Sequence, residues 1–213
     1  MRVVVLCFAS GKYRPYAVAL GESLPLDWRF FMPMVPQLPW PYSTMMRFHF
    51  YREWLRELRS RERVDFILAM DADLKAVQPL DPLAMYGETV GTLHPGFTGR
   101  HAKPGTFEDR PPSACYVAPE ARRAYFAGGL VAGTPAGFAG LCDGVVRRID
   151  ADLKAGIIPR WHDESALNAH FAEHPPAKVL DPTYLTPEGT DWYGDTSEAR
   201  ILALSKDHAA LRT

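Results

Sequence analysis

The chain has 213 residues, of which 47% are hydrophobic and 23% are charged, and its formal net charge is -1 at pH 7. That length supports one ample core and is short for two domains, and a near-neutral chain without a basic stripe excludes nucleic acid as an expected partner. The apolar opening at 1–9 is too short to cross a membrane and lacks a small-residue cleavage site, so we expect no membrane span and no N-terminal anchor.

The cysteines indicate the compartment. Cys7, Cys115 and Cys142 lie far apart in the sequence. An odd, sparse set without metal-ligand spacing is typical of reduced thiols. We therefore expect a cytoplasmic protein.

Strand and helix patterns alternate along the chain. Unbroken apolar runs predict strands buried on both faces, whereas apolar residues repeated every three or four positions predict amphipathic helices. In chain order these patterns predict a strand at 3–9, a helix at 13–24, a short strand at 29–35, a long helix at 43–63, strands at 64–70, at 89–93 and around Leu130, and helices at 138–154 and 165–172. The alternation favours an α/β layered fold in a single domain.

Three segments carry more specific expectations. Recurring prolines leave little room for helix between 25 and 42. The helix at 43–63 is predicted to bury one face, which carries Met46, Phe50, Trp54 and Leu58. The polar segment 96–112 is predicted to be a mobile loop, and the chain from 186 to its end is predicted to be rich in loops.

Asp71 and Asp73 directly follow the apolar run that ends at Met70. Ligands of layered α/β folds bind beyond the carboxyl ends of the strands, where these two carboxylates would lie. Oxygen ligands at this spacing can hold Mg²⁺ or Mn²⁺ and leave positions for substrate phosphates. A short acidic pair is also a common turn sequence, so the residues alone leave both interpretations open.

The run from Trp161 through His162, Asp163 and Glu164 to Ser165 precedes an apolar helical stretch. Its two acids would lie at a helix N-terminus, where the macrodipole stabilises negative charge. A carboxylate there could instead face a sugar carbon that becomes positive in a transition state. The run alone supports both interpretations.

Two weaker patterns could also face a ligand. The small residues around Gly128 and Gly129 would let a ligand approach the backbone, or would let two strands pack tightly. Lys206 and Arg212 could clamp a diphosphate, or could be a solvated pair of charges near the chain end.

Together, the ordered motifs resemble glycosyltransferase family 6, the family of the histo-blood-group A and B transferases and the α-1,3-galactosyltransferase. In chain order the motifs are FASGKY from Phe8, WPYSTMMRF from Trp40, MDAD from Met70, GTLHPGF from Gly91, AYFAGGLVAGT from Ala124, WHDESALNAHF from Trp161, PAKVLDPTYL ending at Leu185, and SKDHAALR from Ser205. WHDES followed by LN is highly specific to the family, whereas two aspartates one residue apart are not. The resemblance implies a GT-A-like, Rossmann-type fold with a central mixed sheet in one domain, 1–213, with a nucleotide-binding half at 1–73 and an acceptor and catalytic half at 74–213 that ends in a closing tail.

The resemblance also implies a role for each matching residue. On the donor it implies Phe8, Ala9 and Tyr13 at the uridine, Arg47 at the sugar or a phosphate, Asp71 near the ribose or sugar, Ala127, Gly128, Gly129 and His162 at the sugar, and Lys206 and Arg212 on the pyrophosphate. On the acceptor it implies His94, Trp161 and Glu164. Asp71 and Asp73 would hold Mn²⁺, with Mg²⁺ as the alternative. Asp163 would hydrogen-bond the transferred sugar, and Glu164 would be the nucleophile or would stabilise an oxocarbenium-like centre.

The implied activity is retaining transfer of GalNAc or Gal from a UDP-sugar, in α-1,3 linkage, to an oligosaccharide acceptor with a terminal galactose. Gly129 leaves room for an N-acetyl group, whereas the small Ala127 widens the pocket, so both donors stay open. Retention through a covalent glycosyl-enzyme and retention by front-face substitution both remain open.

Three departures from the family pattern shape these expectations. Bacterial members often replace the acidic pair, but this chain keeps Asp71 and Asp73, which predicts metal dependence. The segment 25–42 is shorter than its family equivalent, which implies a lost strand or helix at the edge of the sheet. The residues at 99–106 also differ, which leaves the acceptor open. The alternatives are a non-catalytic nucleotide- or glycan-binding module that retains the fold, and a metal-dependent phosphohydrolase that uses the acidic pair. Retention of the acids together with the basic tail favours the transferase.

Overall fold

The computed structural model describes residues 1–58, 63–98, 105–189, 196–207 and 211. The strands among them are β1 (Val3–Leu6), β2 (Arg29–Phe31), β3 (Phe66–Met70), β4 (Leu74–Ala76), β5 (Thr89–Leu93), β6 (Phe126–Gly133), β7 (Lys178–Leu180), β8 (Thr186–Pro187) and β9 (Ile201–Ala203). The α-helices are α1 (Arg14–Ser23), α2 (Tyr42–Met45), α3 (Arg47–Leu58), α4 (Pro82–Met85), α5 (Pro135–Lys154) and α6 (His162–Glu173). Short 3₁₀ turns lie at Gly11–Tyr13, Pro95–Phe97, Pro119–Ala121, Pro182–Leu185 and Thr196–Glu198.

The main sheet has six strands in the order β2-β1-β3-β6-β5-β7. β6 runs antiparallel to both of its neighbours, and the other neighbouring pairs are parallel. The carboxyl ends of β1, β3 and β5 therefore meet the amino end of β6 at one edge of the sheet. This edge receives the residues that follow those strands, Phe8, Asp71 and His94, and the residue that precedes β6, Tyr125.

Helices cover both faces of this sheet. In β1, Val4 and Leu6 pack in one core cluster with residues of α3, α5 and α6, whereas Val3 and Val5 pack in a second cluster with residues of α1 and α4. All four side chains are buried, which confirms the expectation of a strand buried on both faces. The three layers confirm the α/β, GT-A-like fold with a central mixed sheet in a single domain.

A second sheet brings a late part of the chain back to the middle of the sequence. It has the order β4-β9-β8, and β4 pairs antiparallel with β9. Just beyond β9, the Leu204 amide donates to the Asp73 carbonyl at 2.8 Å. The expectation of a loop-rich end overlooked this sheet, because β8 and β9 are too short to show a period and their partner strand is distant in sequence.

The predicted helix at 43–63 is wrong in its continuity and its buried face. It is divided at Met46 into α2 and α3, and α3 ends at Leu58, before the undescribed residues 59–62. The fully buried side chains of α3 are Phe48, Tyr51, Leu55 and Leu58, so only Leu58 of the predicted set is among them.

The predicted face of that helix has a different neighbour. Phe50 packs on Phe8 with ring centroids 5.8 Å apart, and Trp54 packs edge-on to Phe31 at 5.5 Å. These side chains remain half-buried because they cover the β1–β2 side of the sheet, whereas the deeper face of α3 packs on α5.

The other boundaries differ less. The strand at 89–93 is confirmed as β5, whereas those predicted at 3–9 and 29–35 end at Leu6 and Phe31, beyond which Ala9 and Met34 form one isolated bridge. Part of the predicted loop at 96–112 lies at 99–104, outside the described residues. Within the described ranges, no helix combines the length and the apolar character needed to cross a membrane.

Candidate functional site

A pocket of about 230 Å³ opens at the edge where β1 and β3 end. Six of the residues predicted to bind donor or metal line it: Phe8, Tyr13, Arg47, Asp71, Asp73 and Lys206. The segment between β2 and α2 closes another side through Gln37, Leu38 and Trp40. The pocket therefore gathers the N-terminal motif, the acidic pair and the tail lysine.

Arg47 joins two acidic motifs that are distant in sequence. Its guanidinium forms an ion pair with Asp71, at the end of β3, and a second with Asp163, in the first turn of α6. The Arg47 Nε also donates to the Asp163 Oδ2 at 2.9 Å. The Arg47 side chain is 13% exposed and contacts both carboxylates, so its charge is compensated and its position is fixed.

The carboxylate of Asp163 uses only one of its two oxygens in hydrogen bonds within the described residues. The residue is 1% exposed, and its Oδ1 has no hydrogen-bond partner within the described part of the chain. Burial raises the pKa of this carboxyl, and the charge of Arg47 opposes the rise. A buried, unpaired carboxylate oxygen is costly unless a ligand hydroxyl completes it.

Lys206 connects the chain end to the acidic pair. Its ammonium forms an ion pair with the Asp73 carboxylate, and its Nζ lies 5.5 Å from the centre of the Tyr13 ring. The side chain of Asp73 is 12% exposed, and the side chain of Asp71 is 37% exposed. Asp73 thus lies deeper, beneath Lys206, and Asp71 lies nearer to solvent.

The acidic pair fits a hard divalent cation. Asp71 and Asp73 present only oxygen donors and both line the pocket. Among the described residues no group of three or more histidine, cysteine or acidic side chains converges to hold a metal. Two carboxylates with the remaining positions left to water and phosphate are the ligand set that Mg²⁺-like ions use beside nucleotides.

A bulge in β6 turns main-chain groups toward the site. Gly91 of β5 pairs with Val131, but the next residue, Thr92, pairs with Ala127, so residues 128–130 have no partner in β5. The Gly128 amide donates instead to the Glu164 Oε2 at 2.9 Å. The Gly129 carbonyl accepts from the Asp71 amide at 2.9 Å. Bulges commonly re-aim groups beside functional sites.

Glu164 is held by two donors. Besides the Gly128 amide, the Tyr125 hydroxyl donates to its Oε1 at 3.0 Å. Burial raises the pKa of the Glu164 carboxyl to about 7 from an ordinary 4.5, and these two donors oppose the rise. The carboxylate therefore changes charge near neutral pH, as acid–base or nucleophilic groups of enzymes often do.

The first turn of α6 presents both acids as predicted. His162, the first residue of the helix, has a φ of 55°, a left-handed conformation that few residues other than glycine adopt. Its ring packs edge-on to Trp40 of the pocket wall, with centroids 4.9 Å apart. The Trp161 amide donates to the Ser165 hydroxyl at 2.9 Å, which holds the entry to the helix. Trp161 itself is 48% exposed.

His94 stands on the far side of Tyr125. The two rings are 5.8 Å apart, and the His94 Nδ1 accepts from the Gly96 amide at 3.0 Å. Burial lowers the pKa of His94 to about 4, so the ring is neutral at pH 7. Because its Nδ1 is an acceptor, its Nε2 carries the proton and can donate.

Residues 127–129, which are predicted to lie at the donor sugar, differ in how much room surrounds them. Ala127 is 3% exposed within the core. A Cβ at Gly128 would lie 2.9 Å from the Arg47 Nη2, and one at Gly129 would lie 3.2 Å from the Leu185 Cδ1 and 3.4 Å from the Asp71 Oδ2. The backbone at 128 and 129 therefore lies directly against the groups that line the site.

Among the described residues predicted to bind the donor, five do not line this pocket: Ala9, Ala127, Gly128, Gly129 and His162. Ala9 is buried, and its main chain bonds to the segment after β2, including the Val35 amide at 3.0 Å. Arg212 lies outside the described residues.

Sequence reasoning missed three residues of the site, which are Tyr125, Asn168 and Trp40. Each stands inside a motif that marked the family resemblance, but none was given a role of its own. Asn168 is the only asparagine in the chain, which was the available signal. Its side chain bonds to both main-chain groups of Phe126 at 2.8 Å, and so connects α6 to the start of β6.

Comparison with known proteins agrees with this geometry. The chain is 32% identical over 157 residues to histo-blood group ABO system transferase 1 of Rattus norvegicus, a match that covers 73% of this chain and 45% of that protein. It is 29% identical over 243 residues to globoside alpha-1,3-N-acetylgalactosaminyltransferase 1 of Mus musculus, covering 100% and 69%. It is 30% identical over 196 residues to alpha-1,3-galactosyltransferase 2 of Homo sapiens, covering 92% and 56%. The chain spans less than half the length of the rat relative.

A model of the whole family also matches most of the chain. The model for glycosyltransferase family 6 matches residues 31–213, which include Arg47, both acidic motifs and the glycines of β6. With the resemblance of its motifs and the convergence of several of them on one pocket, this match identifies the chain as a member of glycosyltransferase family 6.

Proposed function

We propose that this chain is a metal-dependent, retaining hexosyltransferase that moves GalNAc or Gal from a UDP-sugar to a terminal galactose of an oligosaccharide acceptor, in α-1,3 linkage. The observation that carries the proposal is the ion-pair bridge of Arg47, which joins Asp71 to Asp163 beside Glu164. A pyrophosphate at the acidic pair and a sugar at α6 would then be contiguous. The names of the mouse and human relatives support the linkage and both sugars.

The two proposed halves of the chain share this bridge. Arg47 and Asp71 belong to the nucleotide half, 1–73, and Asp163 and Glu164 belong to the acceptor and catalytic half, 74–213. The uridine would lie against Phe8 and Tyr13, which line the pocket together with the acidic pair.

The proposed chemistry follows from charge. UDP gains negative charge as its bond to the sugar breaks, and the Lys206 ammonium stabilises it. Bound Mn²⁺ or Mg²⁺, held by Asp71 and Asp73, would supply a Lewis acid for the diphosphate. The anomeric carbon becomes positive, and the Glu164 carboxylate faces it, while Asp163 accepts a hydrogen bond from a sugar hydroxyl through its unpaired Oδ1. His94 and Trp161 would contact the acceptor.

We also propose that the protein is cytoplasmic. Cys7, Cys115 and Cys142 are buried and free. Free thiols support a cytoplasmic protein.

A donor panel tests the activity. UDP-Gal, UDP-GalNAc, UDP-Glc and UDP-GlcNAc are compared with and without Mn²⁺, with a galactoside acceptor, and UDP release and product linkage are measured. We expect Mn²⁺-dependent turnover with one or both galacto-configured donors. Equal UDP release from all four donors would favour the phosphohydrolase instead.

Two substitutions separate an enzyme from a binding module. Glu164→Gln should lower kcat by at least about 100-fold and leave UDP affinity unchanged, because it removes the charge that faces the sugar carbon. Glu173→Gln, at the exposed far end of α6, is the matched control. Asp73→Ala should abolish the response to Mn²⁺. A wild-type protein that binds UDP but turns over no faster than Glu164→Gln would be a binding module.

A further inference from the structure

The Glu164 carboxylate is oriented by two groups of different kinds near the start of β6. One is the Gly128 amide, a main-chain donor that no substitution except proline removes, and the other is the Tyr125 hydroxyl, 3.0 Å from the Oε1. Tyr125 is 4% exposed, so its hydroxyl has little access to water. A buried phenol aimed at a buried carboxylate is a specific contact because each group satisfies the other.

The ring of Tyr125 has no room to turn away. Phe97 and Phe107 meet it edge-on, with ring centroids 4.8 Å and 5.0 Å away. Gly105 approaches so closely that a Cβ there would lie 2.4 Å from the Tyr125 Cδ2. Because a carboxylate offers no proton, the hydroxyl proton of Tyr125 is directed at Glu164.

The other side of the contact is also fixed. The Asn168 Nδ2 donates to the Glu164 carbonyl at 2.9 Å and to the Phe126 carbonyl at 2.8 Å. This clamp sets the separation of α6 from the start of β6. Phe126 directly follows Tyr125, so the clamp also fixes the distance between the phenol and the carboxylate.

We propose that Tyr125 is a positioning residue for Glu164, and that its hydroxyl fixes the direction in which the carboxylate faces the donor sugar and stabilises its negative charge. The inference rests on the proposed role of Glu164 in sugar transfer. It assigns Tyr125 a function that acts through Glu164, without contact between Tyr125 and the reacting atoms.

The charges around Glu164 give the inference a pH signature. Tyr125 faces it from just before β6, the Gly128 amide faces it from β6, Asp163 lies beside it on α6, and Arg47 faces it from α3. Burial raises the pKa of the carboxyl to about 7, and the hydrogen bond from Tyr125 lowers it. Removal of that hydroxyl should therefore move the titration of Glu164 to higher pH.

The test is Tyr125→Phe, which keeps the buried ring and removes only the hydroxyl. We expect kcat to fall about tenfold, the size of one hydrogen bond to a charged group, with little change in the KM of the donor. The acidic limb of the kcat/KM profile should move to higher pH. Tyr184→Phe, which removes the hydroxyl of another buried tyrosine whose ring lies beneath Arg200, is the control and should leave the profile unchanged.

A double variant tests whether Tyr125 acts through Glu164. If it does, Tyr125→Phe combined with Glu164→Gln should be no slower than Glu164→Gln alone. Additive losses of rate, or a lower kcat with an unmoved pH profile, would overturn the inference.

A measurement without turnover separates this inference from the proposed function. In protein labelled with ¹³C at the glutamate carboxyl, the Glu164 signal is the one that Glu164→Gln removes. Tyr125→Phe should raise the pH at which this signal titrates, and an unmoved titration would overturn the inference. If wild-type protein transfers no sugar although the titration moves, the proposed function fails and the role of Tyr125 in sugar transfer fails with it.

Discussion

At the scale of single residues, the site depends on a few buried charges that compensate one another. Arg47 serves two carboxylates, Lys206 serves Asp73, and Glu164 has only neutral donors. Glu164 is thus the acid of the site whose charge is least compensated. Its titration should therefore dominate the response of the protein to pH.

We predict that kcat/KM rises with pH through about 7, because a carboxylate that faces a cationic carbon must be ionised. The same group affects stability with the opposite sign. Its pKa is higher in the folded state than in the unfolded state, so the free energy of unfolding should fall as pH rises from about 4.5 to about 7. Initial rates and urea unfolding across pH 4 to 8 measure both effects.

Glu164→Gln should lack this part of the pH dependence of stability. A variant whose stability profile matches the wild-type profile would show that Glu164 titrates normally in the folded protein.

At the scale of the elements, the contact between α6 and β6 organises the site. Asn168 contributes two hydrogen bonds to it, both with main-chain groups of Phe126, and makes a third to the Glu164 carbonyl within α6. Through these bonds one side chain compensates both polar groups of Phe126, where the strand begins.

We predict that Asn168→Ala lowers the free energy of unfolding by about 3 kcal/mol, because it leaves the buried Phe126 amide and carbonyl unpaired. It should also lower kcat, since Glu164 loses its fixed distance from β6. Gln78→Ala removes an exposed amide that donates to the Ser197 carbonyl at 3.1 Å, and should cost less than about 1 kcal/mol. Urea unfolding measures both, and equal losses would contradict the clamp.

The sequence predicts such elements unevenly. Unbroken apolar runs located β1 and β3, and the positions of Asp71 and of the acids of α6 followed from local pattern alone. The division at Met46 and the bulge of β6 were not predictable, because both arise from packing between segments distant in sequence. Tyr125 was overlooked for the same reason, since a tyrosine before a strand is usually a core residue and its partner Glu164 lies in another motif.

At the scale of the whole molecule, the fold gathers the middle and the end of the chain around one pocket. The sheet formed by β4, β9 and β8 holds Leu204 against Asp73, and Lys206 follows two residues later. The Lys206 ammonium consequently lies on a carboxylate that is proposed to bind the metal.

We predict that Lys206→Met binds Mn²⁺ about tenfold more tightly than wild-type protein when no nucleotide is present, because a competing positive charge is removed. With UDP present the same variant should bind the nucleotide more weakly. The control is Lys75→Met, at an exposed position of β4, the strand that directly follows Asp73. Titration calorimetry measures these affinities, and equal Mn²⁺ affinity without nucleotide would rule out competition at Asp73.

The bulge at 128–130 has a consequence for how this protein can diversify. The bulge bonds to Glu164 through the Gly128 amide and to Asp71 through the Gly129 carbonyl. Every amino acid except proline has both of these groups, so a substitution at either position would keep the hydrogen bonds to Glu164 and Asp71. Position 128 nevertheless has little freedom, since a methyl group would press on the pinned guanidinium of Arg47, whereas at position 129 a shift of a few tenths of an ångström by Leu185 would make room. Natural substitutions should therefore occur more often at Gly129 than at Gly128, because one added carbon at Gly129 changes the shape of the site without displacing Arg47.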